Sequence, residues 1–130
     1  MFVSGGNQME IKVADEVWIG LALLHKEHPE QKSFRANEIV DRVFEEHLYE
    51  RLRPGVAIHV SLHCVANKRP NPGNYRMLYV LEDGTRRLFK KSDDFHPYRE
   101  GGKMVPRKDD IPAKYWPLID WWEDIYNKKR

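Results

Sequence analysis

The chain has 130 residues, 41% of them hydrophobic and 12% aromatic, which suits one packed core, is too short for two, and excludes a disordered tail. Its 22 basic and 20 acidic residues leave a net charge of +2, and the single cysteine, Cys64, rules out an internal disulfide and suits a reducing compartment. No apolar run approaches the ~20 residues of a membrane span and MFVSGGNQ lacks the regions of a secretory signal, so a cytoplasmic protein with no membrane partner is expected.

Residues 1–9 are Gly-rich and aperiodic and read as a disordered N-terminal extension, with Met9 a second candidate start. From Glu10 to about His28, Val13, Val17, Leu21 and Leu24 recur at helical spacing, and Ile11, Ala14, Trp18 and Ala22 widen the stripe into a core-facing helix. Pro29 ends it, because the residue before a proline is pushed out of helical conformation. The connector that follows is polar apart from Phe34, which is placed to pair briefly as an extended residue. Ala36 to about Leu48 repeats the helical pattern, with Ile39, Val40, Val43, Phe44 and Leu48 on one face and mainly acidic residues on the other.

Pro54 suits the first turn of a third helix, expected to run to Asn67. In this reading Ile58, Leu62 and Val65 form its inward spine, and Val56, Val60, His63 and Asn67 point outward with His59 at the flank. NKRPNPGN is turn chemistry throughout. Tyr75–Leu81 and Thr85–Phe89 then read as two strands of a hairpin around Asp83-Gly84.

Charge is segregated along the chain. Arg51 to Lys91 holds nine basic residues against Glu82 and Asp83, a local balance of +7 that leaves −5 for the rest. Helix, extended residue, helix, helix and basic hairpin, over residues 10–91, resembles the winged helix-turn-helix superfamily and looks like one of its small bacterial or archaeal families. The resemblance implies an α+β fold of three helices and a β-hairpin wing, binding double-stranded DNA. The third helix would lie in a major groove and the wing against the backbone, in a regulator or a DNA-contacting accessory module.

The candidate DNA contacts are Arg53, His59, His63, Asn67, Lys68, Arg69, Arg76, Arg86, Arg87, Lys90 and Lys91. Asn67 can read adenine or cap its helix; the arginines and lysines can grip phosphate or be solvated edge charges. Because they lie at the helix ends and on the wing, backbone gripping with little base readout is expected. About six such contacts give a logarithmic salt slope near −5.

No enzyme is expected. His59-x-x-x-His63 lacks the glutamate of a zinc protease, since Val60 stands after the first histidine, and no metal or cofactor is assigned. Cys64 has no activating neighbour in sequence and reads as a small hydrophobe. Asp93, Asp94, Glu100 and Lys103 suggest a metal-dependent nuclease only loosely, because two residues separate Glu100 from Lys103. Residues 92–130 form a long turn-rich loop and a C-terminal helix in which Pro117 marks either a kink or the true start. Tyr115, Trp121 and Trp122 either complete the core or form a surface for a homodimer or another protein partner.

Overall fold

In the computed structural model, which describes residues 10–129, α1 (Val13–Glu27) is sheltered on nearly every side. Ala14, Val17, Trp18, Leu21 and Ala22 are buried, and so are Asp15 and Glu16 in its first turn. Those carboxylates favour the positive end of the helix and are neutralised across the fold, Asp15 by Lys103 at 3.0 Å and Glu16 by Arg53 at 2.7 Å. The expected disordered extension lies outside the described residues.

Helix α2 (Ala36–Glu46) begins with the Glu38 carboxylate accepting the Arg35 backbone N–H at 2.8 Å and ends at His47 in the left-handed region, φ 54°. It turns Ile39 and Val43 inward and meets α1 closely at Gly20, where a Cβ would lie 2.5 Å from Val43 Cγ2. Arg42 pins the pair by reaching Glu27 at 2.6 Å and Glu46 at 3.0 Å.

Helix α3 opens as Gly55–Ile58 and continues without a break into a wider π-helical turn, His59–His63. It is shorter than expected, because residues 64–67 leave the helix to run beside the hairpin. The Cys64 carbonyl accepts the Leu78 N–H at 2.9 Å, and the Ala66 N–H donates to Leu78 at 2.7 Å. The hairpin strands β1 (Leu78–Val80) and β2 (Arg86–Leu88) are antiparallel, with Tyr79 opposite Arg87, and Gly84 supplies the positive φ of 86° that the turn requires. Phe34 pairs as expected, exchanging backbone hydrogen bonds of 2.8 and 2.9 Å with Arg86. Both edges of the hairpin are therefore covered, β2 by Phe34 and β1 by residues 64–67.

Past the hairpin, short 3₁₀ turns at Pro97–Arg99, Lys108–Asp110 and Ala113–Tyr115 lead into α4 (Trp116–Asp124), so Pro117 marks a start and not a kink. The Trp122 indole N–H donates to the Phe89 carbonyl and the Tyr126 hydroxyl to the Leu88 carbonyl, each at 2.8 Å, while the Tyr115 hydroxyl meets Glu46. Tyr115, Trp121 and Trp122 are all buried, so within this chain their rings pack into the core, while Trp116 of α4 stays exposed.

His25 sits at the junction of α1, the hairpin and α4, edge-on to Phe34 at 5.2 Å, with Nε2 accepting the Leu88 N–H at 3.2 Å. Burial, and then Arg87, Lys129 and Lys90, lower its pKa from 6.5 to about 3. Between those values the unfolded chain takes up a proton that the folded chain refuses. The stability held here is complete above pH 6.5 and falls as the pH drops toward 3, by ~1.4 kcal/mol per pH unit. Denaturation at pH 7 and pH 5 is expected to differ by about 2 kcal/mol through this ring, and His25→Gln, which keeps an acceptor for Leu88, to remove that difference. A variant that keeps the full slope would place it elsewhere.

Candidate interaction surface

The end of α3 takes up two of the cations that the sequence assigns to phosphate, Arg86 and Lys68, together with Arg99. A helix leaves its last four carbonyls without intrahelical donors, at its negative pole. Here those of Val60, Ser61, Leu62 and His63 all receive cationic side chains. Arg86 Nε donates to Val60 at 3.0 Å and Nη2 to Ser61 at 3.4 Å; Lys68 Nζ donates to Ser61 at 3.1 Å. Arg99 donates to Leu62 and His63, both at 2.8 Å, and also to Lys68 at 2.6 Å and Tyr75 at 2.7 Å.

Among the described residues neither Arg86, 8% exposed, nor Arg99, fully buried, has a carboxylate partner, and helix and loop carbonyls solvate both guanidinium groups. Burial lowers both from their ordinary values, yet arginine stays charged. Arg86 thus holds the fold together and is not placed for phosphate. Arg99 went unsuspected, since in sequence it is one more charge in a polar loop.

The expected inward spine holds at Val65, which is fully buried, but within the helix itself the orientation is reversed. Val56 and Val60 are fully buried, whereas Ile58, assigned to the inward spine, is 43% exposed. A wheel of a short helix cannot tell which of two apolar stripes faces the core when both carry β-branched residues, and the π turn shifts the phase after Ile58. The outward face, together with α2, forms an open groove lined by Ala36, Asn37, Val40, Asp41, Pro54, Ala57, Ile58 and Ser61. None of these residues is basic.

Asn67 does not cap the helix, and its amide is committed to the hairpin. Its amide donates to the Val80 carbonyl at 2.9 Å and accepts the Val80 N–H at 3.0 Å, extending the backbone pairing along β1. Arg53 binds Glu16 and the Ile11 carbonyl and lies 4.0 Å from the Tyr49 ring. Arg76 donates to Gly102 at 3.0 Å and stacks on Phe95 at 4.4 Å. Arg87 grips Asp93 with two bonds of 2.8 and 2.9 Å; burial works against its charge, but Asp93 raises its pKa on balance. Lys90 reaches the Lys129 carbonyl and Lys91 pairs with Glu123. Of the eleven expected contacts, Arg69 alone is an exposed cation without a carboxylate or carbonyl partner among the described residues, lying over Tyr98 at 5.2 Å.

His59 and His63 meet edge to face at 4.9 Å, but His59 Nδ1 is committed to the Gly55 carbonyl at 2.8 Å. Burial lowers the His59 pKa and pushes the Cys64 thiol up, which leaves it unreactive. The acidic loop is dispersed: Asp93 holds Arg87, Asp94 accepts the Tyr79 hydroxyl at 2.5 Å, and Lys103 serves Asp15. Among the described residues, no group of three or more His, Cys, Asp or Glu side chains could hold a metal ion, and no helix is long and apolar enough to cross a membrane. No family model matches this chain, and no curated protein or solved structure shows significant similarity to it.

Proposed function

We propose that this chain is a winged helix-turn-helix domain acting as a binding module for a protein partner, with the outward face of α2 and α3 as its contact surface. The element order supports the fold: helix, one-residue strand, helix, helix, strand, turn, strand, with Phe34 paired to the return strand. The contact surface rests on one observation. The α3 face that a DNA-binding member would lay in a major groove carries Ala57, Ile58 and Ser61 beside Asp41, with no cation among the groove's lining residues.

Phosphate repels Asp41 and gains nothing from Ile58, and the wing tip, Glu82-Asp83, is exposed and acidic as well. An apolar segment flanked by basic residues fits both features, since Ile58 and Val40 offer area and Asp41 and the exposed Glu45 offer charge. Ile58→Asp is expected to lower recovery of the partner in co-purification by about tenfold or more while leaving the melting temperature unchanged. Equal recovery with the variant removes this reading.

A second reading keeps DNA as the partner. Arg51 and Arg69 are exposed just beyond either end of α3 and have no carboxylate partner among the described residues, which suits a clamp on backbone phosphates. Two such contacts predict a logarithmic salt slope near −2, not the −5 of a fully free basic segment. Duplex binding with that slope, lost in Arg51→Glu with Arg69→Glu, supports it; absence of binding at about 50 mM salt ends it.

A further inference from the structure

A second cleft, of about 560 Å³, opens between the last turn of α1, the connector after it, the hairpin and the end of the chain. This size is within the range of pockets that enclose a single small ligand. Its apolar part is aromatic. His25, Trp121 and Tyr126 have ring centroids 5.0 to 6.4 Å apart, and the Leu88 N–H on Nε2 fixes the imidazole ring and keeps it neutral. These rings are held by the core and show the cleft only their outer 5 to 9%, so they form a fixed apolar wall that needs no ordering before a flat molecule packs against it.

The polar part is cationic. Lys32, Arg87, Lys90 and Lys129 line the cleft against one carboxylate, Glu30. Asp93 answers Arg87, but Lys32, Lys90 and Lys129 form no ion pair among the described residues. Burial first, and then Arg87, Lys129 and Lys32, lower the Lys90 pKa. Like charges gathered around a concave wall cost free energy that an anion would relieve.

We propose that this cleft binds a small organic oxyanion with a planar ring, the ring packed against the wall formed by Trp121, Tyr126 and His25 and the oxyanion held by Lys32, Lys90 and Lys129. An aromatic carboxylate and a nucleoside monophosphate share this chemistry. The site is independent of the α2/α3 groove, with which it has no lining residue in common.

Calorimetric titration of the full chain with 1-naphthoate, AMP, inorganic phosphate and adenosine tests it, with a short DNA duplex as competitor. At least one of 1-naphthoate and AMP is expected to bind with Kd below about 1 mM, and about tenfold or more tighter than phosphate or adenosine alone. A carboxylate site favours the first, a phosphate site the second. Lys90→Gln with Lys129→Gln is expected to weaken binding about tenfold with an unchanged melting temperature. Because Lys90 Nζ is bonded to the Lys129 carbonyl, the exposed Lys32→Glu serves as a second variant with the same expected direction. Three results would overturn the proposal: no heat from either aromatic anion at millimolar concentration, phosphate alone binding as tightly as AMP, or the duplex displacing the aromatic anion.

Discussion

Replacing Arg99 by alanine is expected to cost about 3–5 kcal/mol, read as a fall in the denaturant midpoint at constant slope. Its guanidinium group satisfies four carbonyls, those of Leu62, His63, Lys68 and Tyr75, at 2.6 to 2.8 Å from a site with no exposure to solvent. Removing it leaves buried acceptors unpaired and opens a void in one step. The loss is a large share of the 5–15 kcal/mol that holds a typical domain, so the variant is expected to be partly unfolded near 37 °C. Arg99→Lys should recover less than half of the deficit, because one ammonium cannot reach carbonyls arranged around a planar fork. A cost below about 1 kcal/mol would mean that water can replace the guanidinium group there.

Arg86→Glu is the second large effect, and it bears on how a DNA experiment can be interpreted. The side chain donates to the carbonyls of Val60, Gly84 and Ser61 from a buried position, and its backbone pairs with Phe34. A carboxylate in its place would face three carbonyl oxygens, two of them at the negative end of a helix, with no cation supplied in exchange. A loss of ~4 kcal/mol or more is expected, enough for the variant to lose cooperative melting. Loss of DNA binding in such a protein would report unfolding and say nothing about phosphate contact. Arg69→Glu, at an exposed position, should move stability by less than about 0.5 kcal/mol and is the cleaner probe. If Arg86→Glu melts like the unaltered chain, the buried position of Arg86 is wrong.

Both effects mark where reading the sequence succeeds and where it stops. Helical periodicity located α1 and α2 to within a few residues of Val13–Glu27 and Ala36–Glu46, because each buries a stripe long enough to repeat several times. Asp83-Gly84 located the hairpin turn, since the backbone there needs a positive φ that few residues supply. Phe34 was identified as an extended residue by being the one large apolar side chain in a polar connector, and it pairs with Arg86.

The end of α3 shows the opposite case. Its length, its phase and the fate of Asn67 all depend on residues 64–67 abandoning the helix to pair with β1, a contact made across the following loop and invisible to local periodicity.

Residue order alone carries the order of elements, the apolar faces of the long helices, the turn and the concentration of positive charge between Arg51 and Lys91. What that charge does depends on how the chain closes on itself. A charged side chain in a sequence carries no record of its acceptor, and the carbonyls that take up Arg86, Lys68 and Arg99 become available only when α3 ends beside the hairpin and the later loop. The same closure turned Ile58 outward, buried Trp122 under the hairpin and gathered Lys32, Lys90 and Lys129 from three distant stretches into one cleft. A helix end without donors is costly to bury, and this fold meets that cost with Arg86 and Lys68, which a linear reading gives to DNA, and with Arg99, which it passes over.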